Sequence, residues 1–231
     1  MLEKTVILPP TVPRRKFAKV FRDDIITLLF IGSGYIPEQF YLKGGPTVLE
    51  MFKIIRKSYD NVELIIRSDV PSWVIKEYGN DPRIKIFPGI LPREELCKLY
   101  ERADILLLPS HNSPTSVLLE AMSFELPIIT TDVDMNPERV SQGETGLLIR
   151  VPERLRRAAG SIAHVKEMTI VDEAQVQELA ETTSYLIANP TLRRRMGYSA
   201  RMEVETGKFS MENLNRLLGK VLDEASAGHA R

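Results

Sequence analysis

Short apolar runs alternate with helix-patterned stretches between Ile25 and Ile149, and this alternation restricts the chain to few architectures. The first run, Ile25–Ile31, contains several β-branched residues and stops at Gly32-Ser33-Gly34, which is the pattern of a buried parallel strand ending at a turn. Residues 45–58 then carry apolar side chains at helical spacing. Strands and helices that alternate in this way predict βαβ units and a parallel sheet.

Five further runs repeat the strand pattern, and helix-forming segments separate them. The predicted strands are Val62–Ile66, Ile84–Phe87, Ile105–Leu108, Pro127–Thr131 and Leu147–Ile149, and the predicted helices between them cover 71–78, 92–102 and 114–124. Right-handed crossovers put such helices on both faces of a sheet. We therefore predict an α/β fold with a Rossmann-like, doubly wound parallel sheet over residues 25–150.

Two segments of different character flank this region. Pro9, Pro10 and Pro13 break any helix in residues 1–24, which form a lead-in segment. After residue 150 the pattern becomes almost wholly helical, and the predicted helices cover 155–166, 173–188, 192–205 and 211–225. The chain thus divides into the lead-in 1–24, the sheet domain 25–150 and a helical C-terminal extension 151–231 that packs on it.

Charge and cysteine content exclude several classes of protein. Lys plus Arg and Asp plus Glu both number 31, so the basic excess of a nucleic-acid-binding domain is absent and no nucleic-acid partner is expected. The single cysteine, Cys97, permits no internal disulfide, which fits a reducing cytosol. No signal peptide is recognisable, and no apolar run approaches the roughly 20 residues of a spanning helix. We predict a cytoplasmic protein.

The segment from Leu108 to Val117 carries most information about function. A strand ends there and a helix begins, with Ser113 predicted as the N-cap and Pro114 as the first helical residue. The unpaired amides near Thr115, Ser116 and Val117 then point beyond the carboxyl edge of the sheet, where open α/β sheets bind ligands. Because a helix N-terminus favours anions, this helix start predicts a phosphate site.

Glu120 lies about two turns into the same, otherwise apolar helix. A carboxylate accepts hydrogen bonds well, so a pair of ribose hydroxyls suits this position. A partly exposed glutamate without a ligand is the alternative interpretation.

The turn Gly32-Ser33-Gly34 and the downstream Lys43 form a second candidate site. Glycines after the first strand let a ligand approach the backbone, and Lys43 has the charge to neutralise a diphosphate. A surface lysine in a loop is the alternative. The full Gly-x-Gly-x-x-Gly fingerprint is absent because Pro37 takes the place of its third glycine, which disfavours an NAD site.

Residues 87–91 follow the third strand on the same edge. The backbone at Pro88 and Gly89 could read a base, and the neighbouring apolar side chains could stack on it. An ordinary turn between strand and helix is the alternative.

The histidines and the basic clusters give weaker signals. His111, His164 and His229 lack metal-ligand spacing, so no metal site and no cofactor are predicted, and His111 is expected to be solvated. The two arginine-rich clusters, at 154–157 and 193–195, are interpreted as solvated helix faces. Peripheral membrane contact through anionic lipid head groups is their alternative function.

Taken in order, these segments resemble the group 1 glycosyltransferases, a family of retaining GT-B enzymes that use nucleotide-activated sugars. The resembling segments are Pro9-Pro10, Phe30-Ile31-Gly32, Lys43-Gly44-Gly45, Ile86–Gly89, Leu119–Met122, Leu126–Thr131, Glu144–Leu148 and residues 189–210. They correspond to the C-terminal, donor-binding half of the GT-B fold. The resemblance implies a nucleotide-diphosphate sugar as ligand.

The same resemblance implies a role for each candidate position. Lys43 would contact the diphosphate beside the loop at Gly32 and Ser33, and Glu120 would contact the ribose. The helix start at Ser116 and Val117 would hold phosphate through its amides, and the turn at Pro88 and Gly89 would take the base.

Three positions depart from the family pattern. Ser33 stands where the family usually has an arginine, the loop 111–113 lacks a second glutamate, and Glu125 replaces a glycine. Two charge-assisted hydrogen bonds at about 1.5–3 kcal/mol each amount to about 3–6 kcal/mol, or about two to four decades of affinity. Donor binding could therefore be intact, altered or lost.

Two main hypotheses follow. GT-B enzymes react in a cleft between two halves, which excludes water and orients both substrates. In the first hypothesis the chain is a donor-binding domain or subunit for retaining glycosyl transfer, and it needs a separately encoded N-terminal acceptor domain. In the second it is a degenerate, non-catalytic GT-B-like domain used for protein interaction or regulation. An unrelated Rossmann-like nucleotide binder is a third hypothesis.

Overall fold

Six apolar runs form the strands of one parallel sheet in the described part of the chain, a computed structural model that covers residues 6–22, 24–157 and 165–228. The strands are β1 (Ile26–Ile31), β2 (Val62–Arg67), β3 (Ile84–Phe87), β4 (Ile105–Leu108), β5 (Ile128–Thr131) and β6 (Gly146–Ile149). Their order in the sheet is β3-β2-β1-β4-β5-β6, and every neighbouring pair is parallel. This order confirms the predicted Rossmann-like, doubly wound α/β fold.

Helices connect the strands and follow the last one. The helices are α1 (Gln39–Leu42), α2 (Gly45–Ser58), α3 (Ser72–Tyr78), α4 (Arg93–Arg102), α5 (Thr115–Ser123), α6 (Asn136–Arg139), α7 (Glu153–Arg157), α8 (Val165–Met168), α9 (Glu173–Ala188), α10 (Pro190–Glu205) and α11 (Met211–Gly228). Sequence periodicity missed α1 and α6, since four residues are too few to show a helical repeat. Part of the helix predicted over 155–166 lies outside the described residues.

One apolar core joins the sheet to the segments on either side of it. Fully buried strand residues such as Leu28 and Leu106 share this core with Leu179 of α9 and Ala200 of α10. In the lead-in, the Phe17 ring packs 5.3 Å from the ring of Phe124. The division into 1–24, 25–150 and 151–231 stays a prediction. The shared core is consistent with its assumption that the helical extension packs on the sheet domain. None of the described helices is long and apolar enough to cross a membrane.

Glu125, which replaces a family glycine, adopts the left-handed conformation that glycine favours. Its φ is 60°, directly after α5, and the amide of Leu126 reaches back to the Ala121 carbonyl at 3.2 Å. An L-residue in this conformation costs about 1–2 kcal/mol. The Glu125 carboxylate accepts a hydrogen bond from Arg201 of α10 at 3.2 Å, which offsets part of that strain.

The strand order reverses between β1 and β4, and the loops that follow these two strands are held together. Gly44 caps the start of α2 with a φ of 78°, and a Cβ at this position would overlap the carbonyl oxygen of Pro109. The amide of His111 also donates to the Leu42 carbonyl at 2.9 Å. Ligands of open α/β sheets bind at such a reversal.

Replacing Gly44 by alanine should lower the free energy of unfolding by at least about 3 kcal/mol, because strain of the left-handed backbone adds to the clash with Pro109. Gly143→Ala is the matched control. Its φ is 80°, but a Cβ there meets no atom within 4 Å, so only the backbone cost of about 1 kcal/mol is expected. Urea unfolding of both variants measures the difference. Equal losses would show that the contact with Pro109 is unimportant.

Candidate functional site

All eight candidate residues lie on loops or helix turns at the carboxyl edge, where the six parallel strands end. Gly32 and Ser33 follow β1, Lys43 precedes α2, Pro88 and Gly89 follow β3, and Ser116, Val117 and Glu120 belong to the first two turns of α5. Contacts join them in two groups, one around Lys43 and the β4 loop, the other around Glu120 and α4. Within the described residues no hydrogen bond or ion pair links Lys43 directly to Glu120.

Lys43 is a half-buried cation without an acidic partner in the described residues. Its Nζ donates to Asn112 Oδ1 at 2.7 Å, and the same oxygen accepts from Ser110 Oγ at 2.9 Å. Burial lowers the Lys43 pKa from 10.5 to about 8. An amide oxygen solvates an ammonium less well than water or a carboxylate does, so this position favours an incoming anion.

The start of α5 differs from its prediction by one residue. Pro114, with φ −88° and ψ 64°, is the N-cap and the helix begins at Thr115, so the prediction of Ser113 as N-cap is wrong. Ser113 Oγ donates instead to Asn136 Oδ1 at 3.1 Å. The Val117 amide bonds the Pro114 carbonyl at 3.1 Å, whereas the Thr115 and Ser116 amides find no acceptor in the described chain. These two amides are available to an anion.

Glu120 is largely buried, with 17% of its side chain exposed, and it is held by positive groups. Its Oε1 pairs with Arg93 Nη1 and lies 3.9 Å from Arg15 Nη2, and its Oε2 accepts from the Tyr100 hydroxyl at 3.4 Å. The hydrogen bond to Glu120 raises the pKa of Arg93. A carboxylate offers about four acceptor sites, so these contacts leave capacity for a ligand hydroxyl.

The turn after β3 lies directly against the loop after β1. Gly89 has a φ of 73°, and its amide donates to Asp69 Oδ1 at 2.6 Å. A Cβ on Gly34 would come within 2.5 Å of the Gly89 carbonyl oxygen, so the two loops meet backbone to backbone. Pro88 and Ile90 next to this contact are exposed, which leaves an apolar surface for a flat ligand group.

Three arginines that the sequence did not single out also reach this edge. Arg15 comes from the lead-in, Arg67 ends β2, and Arg93 opens α4. Arg67 and Arg93 follow a recognisable rule, since each occupies the carboxyl end of a strand or the helix start beyond one. Nothing in the sequence connects Arg15 to Glu120, because 105 positions separate two residues that only the tertiary fold brings together.

His111 is not solvated, contrary to expectation. It is 2% exposed, its amide donates to the Leu42 carbonyl, and its Nδ1 has no partner among the described residues. Burial, together with the charge of Arg154, lowers the His111 pKa to about 4, so the ring is neutral at physiological pH. His164 and His229 lie outside the described residues. The described chain contains no group of three or more metal-ligating side chains.

Arginines of both arginine-rich clusters form hydrogen bonds or ion pairs with other residues of the protein. Arg193 is buried and donates to the carbonyls of Leu186 and Ile187, so its assignment to a solvated face is wrong. Arg154 and Arg156 line a cavity of about 830 Å³ between α9 and the segment that follows β6, and they pair with Asp172 and Asp132. The Arg157 side chain lies outside the description. These pairings leave Arg154 and Arg156 little charge for lipid head groups.

Sequence comparisons point to one family. The family model described as "Glycosyl transferases group 1" matches residues 25–165. The capsular polysaccharide biosynthesis glycosyltransferase CapM of Staphylococcus aureus is 25% identical over 205 residues, which cover 85% of this chain and 45% of that protein. The alpha-galactosylglucosyldiacylglycerol synthase of Streptococcus pneumoniae is 47% identical over 58 residues, or 24% of this chain and 15% of that protein. The chain thus spans less than half the length of these relatives.

Solved structures share the fold. The C-terminal domain of LpcC, a glycosyl transferase group 1 family protein from Francisella tularensis, has a TM-score of 0.59 at 19% identity over 80% of this chain and 87% of that domain. WaaG, a glycosyltransferase of lipopolysaccharide biosynthesis, has a TM-score of 0.65 at 20% identity over 94% and 55%. Anabaena HepE, crystallised with UDP and glucose, has a TM-score of 0.61 at 15% identity over 87% and 48%. The fold is that of a GT-B C-terminal domain.

Replacing Lys43 by methionine should raise the free energy of unfolding at pH 7 by about 2 kcal/mol. The lowered pKa corresponds to a cost of about 3 kcal/mol for the buried charge, from which about 1 kcal/mol is subtracted for the lost hydrogen bond to Asn112. This cost is fully present below pH 8 and disappears as the pH rises from about 8 to 10.5, so wild-type stability should rise with pH across that window.

Lys19→Met is the control for this prediction, because burial also lowers the Lys19 pKa to about 8. Lys19 Nζ donates to the carbonyls of Tyr100, Glu101 and Ala103 at the end of α4. Its removal relieves a similar charge cost of about 3 kcal/mol but leaves three carbonyls without their donor, at about 1 kcal/mol each, so stability should stay close to that of the wild type. Urea unfolding at pH 7 and pH 9.5 separates the two lysines. A stability loss in Lys43→Met would contradict an uncompensated charge at that position.

Proposed function

Because the chain belongs to the group 1 glycosyl transferases, we propose that it binds a nucleotide-diphosphate sugar along its carboxyl edge as the donor for retaining glycosyl transfer. One observation carries this proposal. Lys43 keeps an ammonium half-buried, with a lowered pKa and no carboxylate partner in the described residues, at the point where the strand order reverses. A cation in that state is stabilised by an anionic ligand.

The diphosphate would lie between Lys43 and the start of α5. The unpaired amides of Thr115 and Ser116 supply two donors there, and the helix dipole adds a partial positive charge. When the bond between sugar and diphosphate breaks, negative charge develops on the departing phosphate oxygens. Donors that are already oriented stabilise this charge without reorganising, and in many enzymes such stabilisation contributes more to the rate enhancement than any other effect.

The nucleoside would extend from the diphosphate towards β3. Glu120 has acceptor capacity for a ribose hydroxyl, and the exposed turn at Pro88 and Gly89 offers backbone groups and apolar surface to a base. The fold relative HepE has been crystallised with UDP and glucose, which supports a nucleotide ligand for this fold.

We also propose that transfer requires a separate N-terminal acceptor domain. CapM, matched over 85% of this chain, has more than half of its own length outside the match. Large apolar side chains remain exposed on the lead-in and on α11, where a second domain could cover them. They are Val6, Ile7, Leu8, Leu218 and Leu222. The non-catalytic alternative is less favoured, because the curated relatives are named as glycosyltransferases or synthases.

Calorimetric titration with UDP, GDP and ADP and their common sugar conjugates tests the donor site. We expect one nucleotide series to bind saturably to the wild type. Lys43→Ala and Glu120→Gln should each weaken that binding by about tenfold to hundredfold, the loss typical of one charge-assisted hydrogen bond.

The matched control is Lys57→Ala, which removes an exposed lysine from the last turn of α2, at the opposite end of that helix from Lys43. Its affinity should stay within about twofold of the wild type. Absence of binding at millimolar ligand, or equal effects of Lys43→Ala and Lys57→Ala, would contradict the donor site. Melting temperatures of all variants exclude unfolding as the cause of a loss.

Donor affinity should also fall with rising pH. Lys43 has a pKa of about 8 in the free protein, and a bound diphosphate would raise it, so protonated Lys43 is required for full affinity. The neighbouring His111, with a pKa of about 4, stays neutral across this range. The dissociation constant of a nucleotide sugar should be flat below about pH 7 and rise up to tenfold per unit above pH 8. Lys43→Ala should abolish this dependence, and a parallel rise in both proteins would rule out Lys43 as its source.

A further inference from the structure

Arg67 ends β2 and lies along the loop that follows β1. Its Nη1 donates to the Gly32 carbonyl at 3.0 Å, and a Cβ built on Gly34 would lie 2.8 Å from its Nη2. The guanidinium therefore spans the backbone on both sides of Ser33. This loop is the one that carries the candidate phosphate position after the first strand.

The guanidinium has unused donors. Its Nε is buried without a hydrogen-bond partner, and in the described part of the chain Arg67 forms no ion pair with a carboxylate. The nearby Asp69 directs its Oδ1 to the Gly89 amide instead. A guanidinium carries five N–H donors, and one backbone carbonyl satisfies only a small part of them. Buried, unsatisfied donors of this kind are expensive unless a ligand or water completes them.

The charge of Arg67 acts inside the candidate site. Burial and the Glu120 carboxylate raise the pKa of the Tyr100 hydroxyl, while Arg93 and Arg67 oppose that rise. Arg67 is therefore close enough to influence the group that donates to Glu120. Arg93 is neutralised by Glu120 itself, whereas Arg67 and Lys43 have no carboxylate partner in the described residues.

We propose that Arg67 is a second cationic contact to the donor diphosphate, supplied from β2 in place of an arginine at position 33. The proposal rests on the proposed function, since it assigns one more residue to the same anion site. Ser33 is short and uncharged. The Arg67 guanidinium beside it, at the end of the neighbouring strand, supplies a positive charge and several N–H donors. The fork geometry of arginine suits two phosphate oxygens at once.

The test uses inorganic pyrophosphate, the nucleoside diphosphate that binds the wild type best, and the corresponding nucleoside. Arg67→Gln should weaken pyrophosphate and nucleoside diphosphate by about tenfold or more and leave the nucleoside within about twofold. Arg67→Lys keeps the positive charge but loses the planar guanidinium, so its affinity for diphosphate should lie between those of the wild type and Arg67→Gln. Arg195→Gln, which removes an exposed arginine on α10, is the charge-matched control and should bind like the wild type.

A double variant that moves the arginine from position 67 to position 33 distinguishes a direct contact with the ligand from structural support of the loop. The double variant Ser33→Arg with Arg67→Gln returns a guanidinium to the same loop and should recover diphosphate affinity to within about threefold of the wild type. If Arg67→Gln binds diphosphate normally while Lys43→Ala does not, the assignment of Arg67 is overturned and the donor site stands. Equal losses for nucleoside and diphosphate would also overturn it, because they indicate a structural role. If wild type binds neither pyrophosphate nor nucleotide, both proposals fail.

Discussion

The contact between Gly44 and the Pro109 carbonyl holds the centre of the carboxyl edge together. Without a side chain at position 44, the start of α2 comes close enough to the end of β4 for two further hydrogen bonds to form, from His111 to Leu42 and from Lys43 to Asn112. Closing the loops removes water from Lys43, and the lowered pKa of this side chain is the direct result. The proposed anion site is therefore already formed before any ligand arrives, and the folded chain bears its electrostatic cost.

Charge is distributed unevenly along this edge. On the side of β3 the carboxylate of Glu120 balances Arg93, and the nearby Arg15 leaves these three groups with one net positive charge. On the side of β1 and β4, Lys43 and Arg67 are balanced by no carboxylate within the described residues. A ligand with two charges at one end and a polar, uncharged group at the other matches this gradient, and a nucleoside diphosphate has that form.

The sheet could be read from the sequence, whereas much of the edge could not. Runs such as Ile105–Leu108 are buried on both faces, so their composition alone specifies a strand and, through the alternation with helices, its parallel neighbours. Lys43 and Glu120 could be singled out as candidates because they lie in segments with a recognisable pattern. The cap at Pro114, the burial of His111 and the reach of Arg15 and Arg67 depend on which loops meet in space. Local sequence does not predict such contacts between loops. For example, the sequence around His111 does not show that a neighbouring loop will bury this side chain.

The lead-in contacts Glu120 through one side chain that is not rigidly hydrogen-bonded. Arg15 stacks 5.1 Å above the Phe124 ring, its carbonyl accepts from Arg201 at 3.3 Å, and its Nη2 lies 3.9 Å from Glu120 without a hydrogen bond. Moving residues 12–17 away from the body would withdraw a positive charge from this carboxylate and would also expose the core contacts of Val12 and Phe17. Glu120 would then compete more strongly for hydroxyl donors. In the proposed donor site, the lead-in would therefore act as an electrostatic control on the nucleoside end, and its position and the ligand's affinity would be thermodynamically linked.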